Sequence, residues 1–252
     1  MKKRYILLYC MGVALTALSL LSSCSWLNSR LPTKNYYILS YTPVITPPVS
    51  SQRPYQYALQ VGDFRVQSIF NRQNILYRFS AHQIQYYELE QWAVRPTDMI
   101  TNLVFEHLEA SGLTNRVGID FYDTRPDFRI EGTVDAIEKY DAGDIYYAHL
   151  AMSMKMLRTS DGEQVWEYTF DQRRQVYQPE MVYTVQAMSS IFQNHMDIVV
   201  NQLDSLFISI DSGTTFRGST VITPQQPAPA DSTDNGIDES GFEIIPEKPK
   251  DD

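Results

Sequence analysis

After Pro179, the residues Met181, Val185, Met188, Phe192, Met196, Val199, Leu203 and Leu206 recur at steps of three and four. That spacing lays a single apolar stripe along a long helix, and such a stripe has to be buried against another layer. The layer is encoded just upstream. Trp166, Tyr168 and Phe170 share one face of a strand returning from a turn at Ser160-Asp161-Gly162. In the run 146–157, Leu150, Met152, Met154 and Met156 point one way, and in 128–137 Phe128, Ile130, Gly132 and Val134 alternate with charged neighbours. Further strand-like runs cover 36–40, 57–64, 75–79 and 83–87. A shorter helix opens at Arg95-Pro96, carries Met99, Ile100, Leu103, Val104 and Leu108 on one face, and closes at Ser111-Gly112. The pattern predicts an α+β fold, a mostly antiparallel sheet with two packed helices in β-β-β-α-β-β-β-α order.

The N-terminus sets where such a domain works. Met1-Lys2-Lys3-Arg4 is followed by an apolar run to Leu21, too short for a permanent span and ending in small residues, as secretory signals do. Its close, Leu21-Ser22-Ser23-Cys24, resembles the bacterial lipobox, an aliphatic residue and two small ones before a cysteine. That resemblance implies cleavage after residue 23 and acylation of Cys24, with two or three chains giving a stable anchor. Ser25 stands where an aspartate would favour inner-membrane retention, so the expected location is the outer membrane. Cys10 leaves with the leader and Cys24 is modified, so no disulfide framework, thiol nucleophile or zinc thiolate site is expected.

Composition divides the rest. Residues 24–54 are read as an anchor, a short strand and a proline-rich linker (42–54), residues 55–209 as the domain, and residues 210–252 as an acidic, disordered tail. The whole chain carries −9 and the leader holds three of its cations, which leaves −12 on the mature protein. That charge argues against nucleic acid and against attraction to anionic headgroups, so attachment should rest on the acyl chains.

Signals for chemistry are sparse. His82, His107, His149 and His195 have no metal-ligand spacing, and there is no nucleophile elbow, phosphate-cradling loop or dinucleotide fingerprint. The chain reads as a non-enzyme with no catalytic residue, metal or cofactor. The methionine stripe could accommodate acyl chains, but at strand spacing beside an aromatic strand it reads as core. Tyr86, Tyr87, Trp92 and Arg95 are of the types enriched at binding hot spots, and are the candidate partner-binding residues. For Trp92 alone, a plug between strand and helix start is the favoured reading.

These same residues carry a resemblance. Asn74-Ile75-Leu76-Tyr77-Arg78, Ile84-Gln85-Tyr86-Tyr87 and Gln91-Trp92-Ala93-Val94-Arg95-Pro96-Thr97-Asp98-Met99 resemble the ABC-type transport auxiliary lipoproteins, which include the paraquat-inducible C lipoprotein. The likeness runs over roughly 35–209, in the second half by pattern alone. It implies a lipoprotein on the periplasmic face of the outer membrane. Its partners would be mammalian-cell-entry (MCE) domain proteins and an inner-membrane ABC transporter that together move phospholipids or hydrophobic compounds, and a homo-oligomeric ring is possible in the family. A structural or assembly lipoprotein for an outer-membrane protein is the alternative, and direct lipid carriage by the methionine and aromatic faces a third.

Overall fold

The protein is described by a computed structural model covering residues 32–43, 53–141, 143, 145–214 and 219–222. Its elements are β1 (Asn35–Tyr37), β2 (Tyr55–Val61), β3 (Arg65–Val66), β4 (Asn74–Ser80), β5 (Gln83–Trp92), α1 (Pro96–Ala110), β6 (Thr114–Gly118), β7 (Phe128–Asp141), β8 (Tyr146–Arg158), β9 (Gln164–Val176), α2 (Met181–Asp211) and β10 (Ser219–Ile222). All ten strands join one sheet, in the order β1-β5-β4-β7-β8-β9-β10, with β2 and β3 beside β7 and β6 beside β2. The α+β class holds. Its long ladders, β7–β8 and β8–β9, are antiparallel, as is the β4–β5 hairpin, while the short strands add to the sheet in parallel.

One face of the sheet is covered by both helices. Leu150, Met152, Met154, Met156, Trp166, Tyr168 and Phe170 are buried with the stripe of α2, so the methionines are core. The dimensions explain why α2 is so long. Its 31 residues span roughly 46 Å, and the 14 residues of β7 span about the same length. The helix therefore roofs the strands from end to end. Lys139, near the end of β7, donates from Nζ to the carbonyl of Pro179 just before α2, while Phe207 near the helix's other end meets Phe128 at 5.4 Å.

The expected boundaries shift at several points. Asn35–Tyr37 pairs with β5, and Leu39 is buried in the same core at 1% exposure. Arg53, placed at the end of the linker, pairs with the buried Asp204 of α2 at 2.8 Å. The tail was expected from residue 210, but α2 runs to Asp211 and Ser219–Ile222 pairs with β9. Four-residue strands of polar neighbourhood carry too little periodicity to be seen in sequence. The leader, Cys24, most of the linker and residues 223–252 lie outside the described residues.

A bulge in β7 controls the open face. Val134 pairs with Met152, yet Ala136 pairs with Ala151, so the phase slips by one residue. Ile137 thus takes up the covered side and Glu138 moves to the open side, opposite His149.

Candidate functional site

The four expected contact residues do not form one surface. Tyr86 and Tyr87 are neighbours on a strand, and their side chains leave by opposite faces. Tyr86 donates its hydroxyl to the carbonyl of Ile69 at 3.1 Å, with the Arg72 guanidinium 5.1 Å from its ring. Tyr87 lies on the other side against Tyr77, with ring centroids 4.3 Å apart. Burial and nearby Asp141 push its hydroxyl up to about 12. Trp92, the last residue of β5, is 1% exposed and belongs to the buried core. Arg95 is exposed at the start of α1. Two half-buried tyrosines and one arginine therefore remain within a partner's reach, on different sides of the β4–β5 hairpin.

Sequence spacing missed a polar row on the open face, centred on the buried Glu138 and His149, because its members come from four different strands. Arg78 of β4 donates from Nε to both oxygens of Glu138 on β7, at 2.9 and 3.0 Å. His149 of β8 lies 3.0 Å from Glu138 Oε1 through Nδ1 and 2.9 Å from Asp171 of β9 through Nε2. Glu138 is 2% exposed. Burial alone would push its carboxyl up, but hydrogen bonds from His149 and Arg78 outweigh that and hold it below the usual carboxylate range. The row borders a recess of about 450 Å³, lined also by Gln67, Phe70 and Arg173. Every member is engaged by another, so the row acts as a cross-strand clasp. It fixes the β4–β5 hairpin, which meets β7 at only Tyr77↔Lys139 and Arg78↔Tyr140. His149 lies on the face opposite Leu150, where it is buried and hydrogen-bonded.

The other two buried histidines serve the covered side. His195 stacks on Phe170 at 3.7 Å, accepts from Tyr168 Oη at 2.6 Å through Nδ1 and meets Gln172 at 2.7 Å through Nε2. Burial, helped by Arg174, lowers it to about 4. His107 bonds the hydroxyl of Tyr41 at 3.0 Å and lies 3.4 Å from Asp197. Burial lowers His107 to about 4 and pushes the Asp197 carboxyl up; with the imidazole neutral near pH 7, this contact is not an ion pair. Among the described residues no cluster of three or more His, Cys, Asp or Glu could hold a metal ion, and no helix is long and apolar enough to cross a membrane.

Residues 37–199 match the model of a family described as the ABC-type transport auxiliary lipoprotein component. No curated protein matches. A solved protein from Xanthomonas campestris, of the DUF330 family, is similar with a TM-score of 0.59 and 21% identity, over 71% of this chain and all of that one. A second, uncharacterized solved protein gives 0.54 and 13%, over 68% of this chain and 99% of the other. PelC from Paraburkholderia phytofirmans, solved as a dodecamer, gives 0.37 and 11%, over 58% and 86%, too slight a likeness to bear on assembly.

Proposed function

This chain belongs to the ABC-type transport auxiliary lipoprotein family, and on that footing we propose that it is the outer-membrane-anchored docking component of an MCE-type ABC system. It would sit on the periplasmic face through acyl chains on Cys24 and help carry phospholipids or other hydrophobic compounds across the envelope. The observation that carries this reading is the family match over 37–199, which takes in the sheet from Tyr37 through β9 and most of both helices. The family is one of transport auxiliaries, not of enzymes.

The described structure is compatible with docking rather than carriage. The methionine and aromatic faces are filled by α1 and α2, and the recess on the open face is bordered by charged groups. Partner contact falls to Tyr86, Tyr87 and Arg95, with Trp92 supporting them from the core.

The test is a cross-linking pull-down of the tagged, lipidated protein from native envelopes. Recovery of an MCE-domain protein or its ABC transporter is expected, and Tyr86→Ala or Arg95→Ala should weaken it while the protein stays folded. Trp92→Ala should instead lower stability, by about 3–5 kcal/mol as for buried aromatic truncations. Recovery of only a β-barrel or cell-wall component would replace this proposal with a structural or assembly role.

A further inference from the structure

Large apolar side chains left exposed on this body concentrate at one end. That end is where β7 stops and β8 starts. Tyr177 follows the last residue of β9, Val176, which pairs with Tyr146. Val182 and Tyr183 occupy the first turn of α2, tied there by Lys139 and Pro179. Phe79 lies one residue beyond the Arg78↔Tyr140 pair and packs on Tyr77 at 5.0 Å. Tyr36 and Ile38 join them from the N-terminal segment. The Ser40 amide donates to Ser189 Oγ at 3.2 Å and Gln193 donates to the Thr42 carbonyl at 3.4 Å. The segment thus runs alongside α2 in the same direction, which brings Tyr36 to the height of the helix's first turn. All six are exposed.

We infer that this aromatic end rests in the headgroup region of the bilayer that holds the acyl chains. The inference depends on the lipid-anchor reading of Cys24. Two observations choose a membrane as the occupant. The first is the tether: from Cys24 to Asn35 the chain can extend roughly 40 Å at most. β1 runs antiparallel to β7, so the chain before Asn35 points toward this end and away from the β6–β7 loop, about 46 Å off along β7. The second is chemistry. Tyrosine rings with polar tips, beside isoleucine, valine and phenylalanine, match the boundary between acyl chains and headgroups. Asp141 and Glu180 stand at the same end, near the buried Lys139, and Arg173 lies over the Tyr140 ring beside them. Charges of both signs meet there, which a zwitterionic surface matches better than an anionic one.

Tyr177 and Tyr122 provide a built-in comparison, because they are 81% and 92% exposed in the free body and lie at opposite ends. The full protein, isolated with its native anchor and with acylation read from its intact mass, would be placed in phosphatidylethanolamine–phosphatidylcholine vesicles and footprinted with hydroxyl radicals. We expect Tyr177 and Tyr36 to oxidise at least fivefold more slowly than Tyr122. The double variant Ile38→Asp, Val182→Asp, still acylated and folded by circular dichroism, should bring Tyr177 back to within twofold of Tyr122. Equal reactivity of Tyr177 and Tyr122 in the acylated, vesicle-bound protein overturns the inference and leaves the anchor intact. Protection seen only after an envelope protein is added also overturns it, and assigns this end to that protein. A chain without acyl groups that still shows the protection upholds the membrane contact while removing the anchor reading. A chain that neither carries acyl groups nor binds vesicles overturns both.

Discussion

At the scale of single residues, Gly132 shows how tightly the covered face is closed. A Cβ there would run into the carbonyl oxygen of Ser153 and the ring of Phe64. Phe64 cannot retreat freely, because its amide donates to Thr101 of α1 at 3.1 Å and its side chain is fully buried. Gly132→Ala should therefore destabilise the protein by about 1–3 kcal/mol, the range for overpacking a core. A denaturant melt that left the midpoint unchanged would show that the sheet and α1 can separate locally at little cost. In the sequence Gly132 reads only as one member of an alternating run; the ring that presses on it comes from a loop more than sixty residues earlier.

Among elements, the β4–β5 hairpin depends on side chains more than on backbone pairing. Two residue pairs connect it to β7, and the Arg78–Glu138 clasp sits beside them. Arg78→Ala should cost about 3–5 kcal/mol, because it strands a buried carboxylate whose charge had been compensated. Arg78→Ala combined with Glu138→Gln should recover part of the loss, since the uncompensated charge is then gone. Chemical denaturation of the two variants checks this, and a double variant no more stable than the single one would mean that Glu138 is not the group that suffers. Tyr86 and Tyr87 ride on this hairpin, so the single variant should also weaken partner recovery if those tyrosines make contact.

For the whole molecule, stability should rise with pH, because two strongly lowered imidazoles outweigh the raised carboxyl of Asp197, which acts the other way. His107 and His195 are lowered from 6.5 to about 4 by burial. Between those values the unfolded chain binds more protons than the folded one, so stability rises with pH across the window. The contribution is complete above about pH 6.5 and lost as the pH falls toward 4. Glu138 acts in the same direction further down, since its lowered carboxyl stabilises the fold until the pH falls through it. Denaturant midpoints taken from pH 4 to 7.5 should climb and then level off, and His195→Gln should flatten part of the climb. Constant midpoints would show that both imidazoles keep their ordinary affinity for protons when folded.

The sequence by itself determined the layers. The spacing of Met181, Val185, Met188 and Phe192 demanded a roofed helix, and the alternation of Trp166, Tyr168 and Phe170 supplied the face beneath it. Local periodicity encodes such features because each residue's side depends only on its neighbours' backbone geometry. Tertiary structure alone decided which strands became neighbours and what their open faces met. Arg78, Glu138, His149 and Asp171 have no common spacing, and the bulge that turns Glu138 toward His149 is visible only once β7 is paired with β8. Alternation along the strand already sends Tyr86 and Tyr87 to opposite faces, but only packing decided that Tyr86 meets Ile69 and Arg72 while Tyr87 meets Tyr77.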